Sequence, residues 1–187
     1  MIAVSVTLNG APRRFEVSPG DVLADVLRET CGLTGCKVGC DQAVCGACTV
    51  LVNGKPVTAC ATFMFTVDGK TITTIEGLAS DEALHPVQEA FLACGAFQCG
   101  FCTPGMIMSV VALLAEHPDP AEETIRAWLG SNLCRCTGYN PIIAAVREAA
   151  RRPPTAVIAG LDPAIHRHAD GEMDPRVKPA GDGTRGA

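Results

Sequence analysis

The first half of the chain consists of short stretches of alternating apolar and polar residues, separated by turn signals. Residues 2–8 are rich in β-forming side chains, and Asn9-Gly10 directly after them is a strong hairpin signal. We therefore predict strands over 2–8 and 14–17. Residues 18–30 then change to a helical period, whose apolar face consists of Val22, Leu23, Val26 and Leu27.

A second hairpin is predicted after a loop that is rich in glycine and cysteine. Residues 49–52 predict a strand, Asn53-Gly54 a turn, and 57–59 the partner strand. A last short strand is predicted over 71–75. Two hairpins, one helix and a final strand predict a small α+β unit that ends near residue 76.

The second half has a helical period and repeated helix-start signals. We predict a helix over 86–93, and Thr103-Pro104, read as an N-cap followed by proline, starts a helix to about residue 116. A capping box over 119–122 predicts a helix that ends near Gly130. A fourth helix is predicted over 140–151. Four short helices with loops between them predict a compact bundle.

The chain therefore divides into three segments. Residues 1–76 form the α+β domain, and residues 77–152 form the helical domain, with 77–85 as the connector. Residues 153–187 contain no Phe, Trp or Tyr, and Pro, Gly and charged residues are scattered through them. That composition predicts a mostly disordered tail.

Composition and charge exclude several classes of function. The 187 residues are 48% hydrophobic with a net charge of −5, so no basic face for non-specific nucleic-acid binding is expected. The longest apolar run, 105–115, is shorter than the ~20 residues needed to cross a bilayer. The N-terminus does not have the pattern of a secretory signal. We expect a cytoplasmic protein, or a periplasmic one only if a partner's export signal carries it.

Eight of the eleven cysteines fall into two sets, which are the main chemical signal. The first set has the spacing C-x4-C-x2-C-x11-C, the plant-type arrangement for a [2Fe–2S] cluster. The second has the spacing C-x2-C-x31-C-x1-C. Each set has the four thiolates that one cluster needs. The first set is Cys40, Cys45, Cys48 and Cys60, and the second is Cys99, Cys102, Cys134 and Cys136.

Zinc and disulfides are the alternatives for these cysteines. Zinc also takes four thiolates, but its sites usually pair C-x2–4-C knuckles, which fits the first set poorly. The second set taken alone leaves zinc open. A disulfide framework is disfavoured because the number of cysteines is odd and their spacing is that of metal ligands. Cys99 and Cys102 precede a predicted helix start, whose partial positive charge would stabilise an anionic cluster.

Three motifs together resemble one family. GCKVGCDQAVCGACTVLVNGKPVTAC (35–60), FQCGFCTPGMIM (97–108) and LCRCTGYNPI (133–142) are similar to the iron–sulfur subunit of the molybdenum hydroxylases. This is the family of xanthine dehydrogenase, aldehyde oxidase and carbon monoxide dehydrogenase. The resemblance covers roughly residues 2–152.

The resemblance implies more than the spacing does. It implies a β-grasp, plant-type ferredoxin-like domain followed by an all-α, four-helix [2Fe–2S]-binding domain. It places the second cluster beside the molybdopterin of a large partner subunit and the first toward a medium, flavin-carrying subunit. It also implies that Gln98 hydrogen-bonds the pterin and that Cys136 is the ligand nearest to it. Without the motif, Gln98 would be an ordinary surface or capping amide.

The chain departs from the family pattern at a few positions. Ala43 stands where glycine is usual, and a positive φ there would strain an alanine. Cys31, Cys36 and Cys94 are additional thiols, which we interpret as small buried residues. Cys36 lies four residues before Cys40 and is the candidate to replace it as a ligand.

We predict an electron-transfer subunit of an oxidoreductase complex, with no substrate-binding or catalytic residue of its own. Single electrons would pass from the large subunit through the second cluster and then the first, to a flavin or another acceptor such as a cytochrome. One alternative is a free-standing two-cluster ferredoxin-type carrier, which would not need the helical half. Another is a zinc-stabilised interaction module.

Overall fold

The computed structural model describes residues 1–79 and 83–152. The prediction of a disordered tail concerns 153–187, which lies outside the described residues. Three residues of the predicted connector, 80–82, lie outside them as well. Within the described part, strands occupy the first half and helices dominate the second. This order agrees with the predicted α+β class.

A five-stranded mixed sheet forms the frame of the first half, in the order β2-β1-β5-β3-β4. Strands β1 and β2 form one antiparallel hairpin, and β3 and β4 form another. Strand β5 joins the hairpins, since it runs parallel to β1 and antiparallel to β3. The strands are β1 (Ile2–Leu8), β2 (Ala11–Val17), β3 (Thr49–Val52), β4 (Lys55–Thr58) and β5 (Thr71–Thr73).

Both hairpin turns lie at the predicted Asn-Gly pairs. Asn9 and Asn53 each have φ 48°, and the glycines after them also have positive φ, as a two-residue turn of this kind requires. Such a turn pairs the strands immediately after it, so β2 and β4 begin earlier than predicted. Pro12 and Pro56 are tolerated because both strands are edges of the sheet.

Two strands of the first half end before their predicted last residues. Residue Ala59 was expected in the second hairpin, but it begins a 3-10 turn, Ala59–Ala61, that carries Cys60. The last strand was expected to reach residue 75 but stops at Thr73, and a 3-10 turn, Ile75–Gly77, follows it. After β4 the chain passes through 3-10 turns and returns to the sheet as β5, whereas after β5 it leads to the helical half.

The helix of the first half is shorter and wider than predicted. Helix α1 (Leu23–Asp25) continues as a π-helical turn, Val26–Thr30. The N–H of Cys31 donates to the Val26 carbonyl at 3.1 Å, which is the five-residue step of a π-turn. Leu23, Val26 and Leu27 are buried as the apolar pattern predicts, whereas Val22 is only half-buried.

The helices of the second half are close to their predicted bounds, but two starts differ. Helix α3 includes Thr103 and has Cys102 as its N-cap, so Thr103 is not the cap. Helix α4 has Ala121 as its N-cap without a side-chain cap, so the predicted capping box is wrong. Glu122 pairs instead with Arg126 and Arg147. The helices are α2 (Pro86–Ala93), α3 (Thr103–Glu116), α4 (Glu122–Leu129) and α5 (Asn140–Ala150).

Helix α3 is the centre of the helical core and also packs against the sheet. Its middle residues are buried, and Leu51 of β3 belongs to the same apolar cluster. At Gly105, an added Cβ would overlap the carbonyl oxygen of Gly46 and crowd that of Ala47. The helix therefore approaches the cysteine loop as closely as a backbone without a side chain allows. No helix in the described ranges is long and apolar enough to cross a membrane.

We expect Gly105→Ala to destabilise the protein, because the new methyl group would meet backbone rather than a flexible side chain. The expected loss is about 1–3 kcal/mol, the usual cost of overpacking. Thermal unfolding followed by circular dichroism measures it. Gly20→Ala is the matched control, since its Cβ would meet no atom within 4 Å. Equal melting temperatures for the two variants would contradict the close contact.

Candidate metal centres

The loop before β3 carries three cysteines of the first set, and the turn after β4 carries the fourth. Cys48 and Cys60 are buried, while Cys40 and Cys45 are half-buried. The hairpin β3–β4 brings Cys60 back beside Cys48, and the N–H of Cys60 donates to the Cys48 Sγ at 3.5 Å. The fold therefore brings together two predicted ligands that the sequence separates by eleven residues.

Backbone N–H groups surround the sulfur of Cys40. The N–H groups of Gln42, Val44 and Cys45 each lie 3.4 Å from it. Positive φ angles at Asp41 (55°) and Ala43 (56°) turn the loop so that these groups point inward. Hydrogen bonds from Cys45, Gln42 and Val44, in that order of strength, lower the pKa of Cys40 to about 6. Cys40 is thus prepared as a thiolate, the form that binds metal.

Two other thiols, the buried Cys48 and the half-buried Cys102, have raised pKa values instead. Burial raises the pKa of Cys48 to about 12, and burial followed by the hydrogen bond with Cys134 raises the pKa of Cys102 to about 12. A nearby cation is needed to keep such groups as thiolates at neutral pH. The donor set therefore fits a bound, positively charged metal centre.

The second set lies where α3 begins and in the loop between α4 and α5. Cys102 caps α3, and Cys99 and Cys136 are exposed with their sulfur atoms 3.7 Å apart. The Cys134 Sγ lies 3.2 Å from the Thr137 hydroxyl. Burial opposes ionisation of Cys134, but this hydroxyl and neighbouring N–H groups outweigh it and lower the pKa of the thiol.

The cysteines approach each other in pairs. Cys99 contacts Cys136, and the thiols of Cys102 and Cys134 form a hydrogen bond. In the first set Cys40 contacts Cys45, and Cys48 contacts Cys60. Within 1–79 and 83–152, no group of three or more His, Cys, Asp or Glu is close enough to hold a single ion. Two pairs per set match a two-iron cluster, in which each iron takes two thiolates.

The additional cysteines lie beside the centres or away from them. Cys36 is buried, as interpreted from the sequence, and its thiol donates to the Cys48 carbonyl at 3.6 Å. Burial raises the pKa of Cys36 to about 11, so it stays a protonated thiol. Cys31 and Cys94 are half-buried and pack against the two cores. The predicted exchange of Cys36 for Cys40 remains a prediction.

Gln98 contacts the second set directly. Its Nε2 donates to the backbone carbonyl of Cys136 at 3.0 Å, so the side chain lies beside the exposed pair of thiols. The contact of Gln98 with the pterin remains a prediction.

Sequence reasoning did not single out Asn132 and Tyr139. The Tyr139 hydroxyl accepts from the N–H of Cys134 and donates to the carbonyl of Asn132, both at 3.0 Å. The Asn132 side chain is buried against the first cysteine loop. Tyr139 lies within the third motif and its contacts are local, whereas Asn132 precedes that motif and contacts Gly46, 86 residues away, for which a local pattern gives no signal.

Two family models match the chain, one for each set of cysteines. Residues 6–65 match a 2Fe-2S iron-sulfur cluster binding domain, and residues 74–147 match a [2Fe-2S] binding domain. The chain therefore has two distinct [2Fe–2S]-binding domains, as the cysteine spacing predicts.

Relatives with known roles narrow this class. The chain is 49% identical to the nicotinate dehydrogenase small FeS subunit of Eubacterium barkeri over 151 residues, 81% of this chain and 96% of that one. It is also 49% identical to an aldehyde oxidoreductase of Megalodesulfovibrio gigas over 166 residues, 87% of this chain but 18% of that protein. Quinoline 2-oxidoreductase from Pseudomonas putida 86 has a chain with TM-score 0.79 and 44% identity, covering 86% of this chain and 98% of that one.

The chain belongs to the small iron–sulfur subunits of the molybdenum hydroxylase family, which are components of oxidoreductases. This confirms the resemblance drawn from the three motifs. The match to the M. gigas protein spans only a small part of that longer chain, whereas it spans nearly all of the E. barkeri subunit.

We expect Ala43→Gly to stabilise the first cysteine loop, because alanine at φ 56° is strained and glycine is not. The expected gain is up to about 1 kcal/mol. Thermal unfolding and the rate of iron release to a chelator measure it. The control is Ala47→Gly in the same loop, where the alanine is buried and has no positive φ. That variant is expected to lose stability, and a similar loss in Ala43→Gly would contradict the strain.

Proposed function

We propose that this protein is the electron-transfer subunit of a molybdenum-containing hydroxylase, relaying single electrons between a molybdopterin centre and a flavin or other acceptor. The observation that carries the proposal is that each of the two matched [2Fe–2S]-binding domains contains one set of four cysteines, whose thiols approach one another in pairs. Iron–sulfur clusters held by these cysteines would accept one electron at a time. A molybdenum centre that gains two electrons from its substrate needs such acceptors in order to pass the electrons on singly.

The metal ligands in this proposal are the two cysteine sets. The N–H groups around Cys40 would stabilise the more negative, reduced state of the first cluster. The start of α3 at Cys102 would act similarly on the second. The first set is Cys40, Cys45, Cys48 and Cys60, and the second is Cys99, Cys102, Cys134 and Cys136.

The proposal assigns a β-grasp, plant-type ferredoxin-like domain to residues 1–76 and a four-helix cluster-binding domain to 77–152. The strand order and the bounds of α2 to α5 support that division. Leu51 packs with the helical core, so the two domains share part of their interior.

The exposed end of the second set is the proposed docking side for a large molybdopterin subunit. Cys99 and Cys136 are exposed, and Gln98 lies beside them to bond the pterin. Phe101 (48% exposed) and Leu133 (53% exposed) add apolar surface near these thiols. A partner subunit that covers them would exclude water from the electron-transfer contact. A medium flavin subunit or a cytochrome would accept electrons from the first set.

We expect the purified protein or complex to contain iron for two clusters, and its reduced form to give two distinct [2Fe–2S] signals in electron paramagnetic resonance. Cys45→Ala and Cys134→Ala should each remove about half of the iron and one signal, because each set holds its own cluster. Metal analysis and spectra of the dithionite-reduced protein measure both.

The control is Cys94→Ala, whose thiol is half-buried among helical core residues and should leave both signals intact. Zinc in place of iron, iron for one cluster only, or no paramagnetic signal after reduction would overturn the proposal. Co-purification gives a second test: an electron-transfer subunit should bring a large partner with it, and a chain that elutes alone with both clusters would be a free carrier instead.

A further inference from the structure

Asn132 is buried between the two cysteine loops. Its side chain is 2% exposed, and its Nδ2 donates to the Gly46 carbonyl at 2.8 Å and to the Thr49 hydroxyl at 3.3 Å. Gly46 has φ 68°, and an added Cβ there would overlap Asn132 and the Ser131 carbonyl. The two loops can therefore approach this closely because position 46 has no side chain and the Asn132 amide fills the space beside it.

The residue after Asn132 completes a direct link between the two sets. The N–H of Leu133 donates to the carbonyl of Cys45 at 2.8 Å, and Leu133 is bonded to Cys134. A ligand of the first set and a ligand of the second are thus joined by covalent bonds and one hydrogen bond. Electronic coupling weakens steeply when such a contact is replaced by a gap, so the geometry of this bond matters.

Tyr139 holds the backbone of the Asn132 loop by two hydrogen bonds. Its hydroxyl bridges the Asn132 carbonyl and the Cys134 N–H. Asn132 is therefore held by the second loop through its backbone and holds the first loop through its side chain. Loss of the side chain would remove the hydrogen bond that crosses between the loops and leave the Gly46 carbonyl with only the bonds it accepts from the N–H and hydroxyl of Thr49 in its own loop, which favours separation of the loops.

We propose that Asn132 is a positioning residue for electron transfer between the two centres. Its side chain fastens the second cysteine loop to the first, so that the bond from Leu133 to Cys45 keeps its length. The inference rests on the proposed function, because it requires a cluster in each set. It adds that the coupling between the clusters depends on one buried amide that binds neither metal.

The test uses the full chain in its complex with both clusters reduced. Two neighbouring paramagnetic centres split each other's resonance signals, and this splitting reports their mutual geometry. We expect Asn132→Ala to narrow the splitting and to slow electron equilibration between the clusters. The g-values of each cluster should remain, because no ligand changes. Thr49→Val is a second variant that keeps the shape of the site. It removes the hydroxyl that accepts from Asn132 and donates to the Gly46 carbonyl, while the bond from Asn132 to Gly46 remains, so a smaller narrowing of the splitting is expected.

The matched control is Asn9→Gly. The Asn9 side chain also makes two hydrogen bonds across the fold, both to Thr74, and glycine accepts its positive φ. It should lower stability and leave the splitting unchanged, which separates positioning from general destabilisation. If Asn132→Ala loses its clusters, the splitting in Thr49→Val decides.

The outcomes separate this inference from the function on which it rests. Two signals in the unaltered protein, with a splitting that neither Asn132→Ala nor Thr49→Val changes, would overturn the inference and leave the function standing. An unaltered protein without two cluster signals would end the proposed function itself.

Discussion

The loop that carries Cys45 and Cys48 lies against the helical half at two points, and this contact fixes the relation between the two cysteine sets. Gly105 at the start of α3 approaches the carbonyl groups of Gly46 and Ala47 without a side chain between them. Asn132 approaches the same loop from the α4–α5 connection. Both contacts are made by backbone and a short amide, so a small displacement would break them.

Electrostatics gives the two sets a shared requirement. Cys48 is buried and Cys102 is half-buried, and desolvation raises the pKa of each thiol to about 12, so their thiolates need a nearby cation. The thiolate of Cys40 depends less on a cation, because three backbone N–H groups already lower the pKa of this thiol. Each set therefore combines a thiol whose thiolate form is stabilised by the backbone or a hydroxyl with a thiol whose thiolate form needs a nearby cation. Such a site is completed by its cluster, and folding and metal binding support each other.

Much of the fold was readable from local signals, and the misses have physical causes. The Asn-Gly turns fixed both hairpins, since few other pairs accept two positive φ angles. The cysteine spacing predicted two [2Fe–2S]-binding domains, which the family models confirm. The starts of α3 and α4 were wrong because Thr103 and Asp119 have capping side chains that the local geometry does not use. Asn132 was missed because its partner Gly46 is 86 residues away.

The two sets differ in the exposure of their cysteines, because only the second set has exposed thiols. Cys99 and Cys136 reach the surface, with exposed Phe101 and Leu133 on the neighbouring segments. In the first set Cys48 and Cys60 are buried, and Cys40 and Cys45 are half-buried. Under the proposed function, the exposed pair of the second set is where a partner's redox centre would come closest. Leu133 belongs to both regions, because its side chain is exposed near the second set while its N–H donates to the carbonyl of Cys45. Under the proposed function, a partner that covers Leu133 would therefore also contact the residue that links the two cysteine sets.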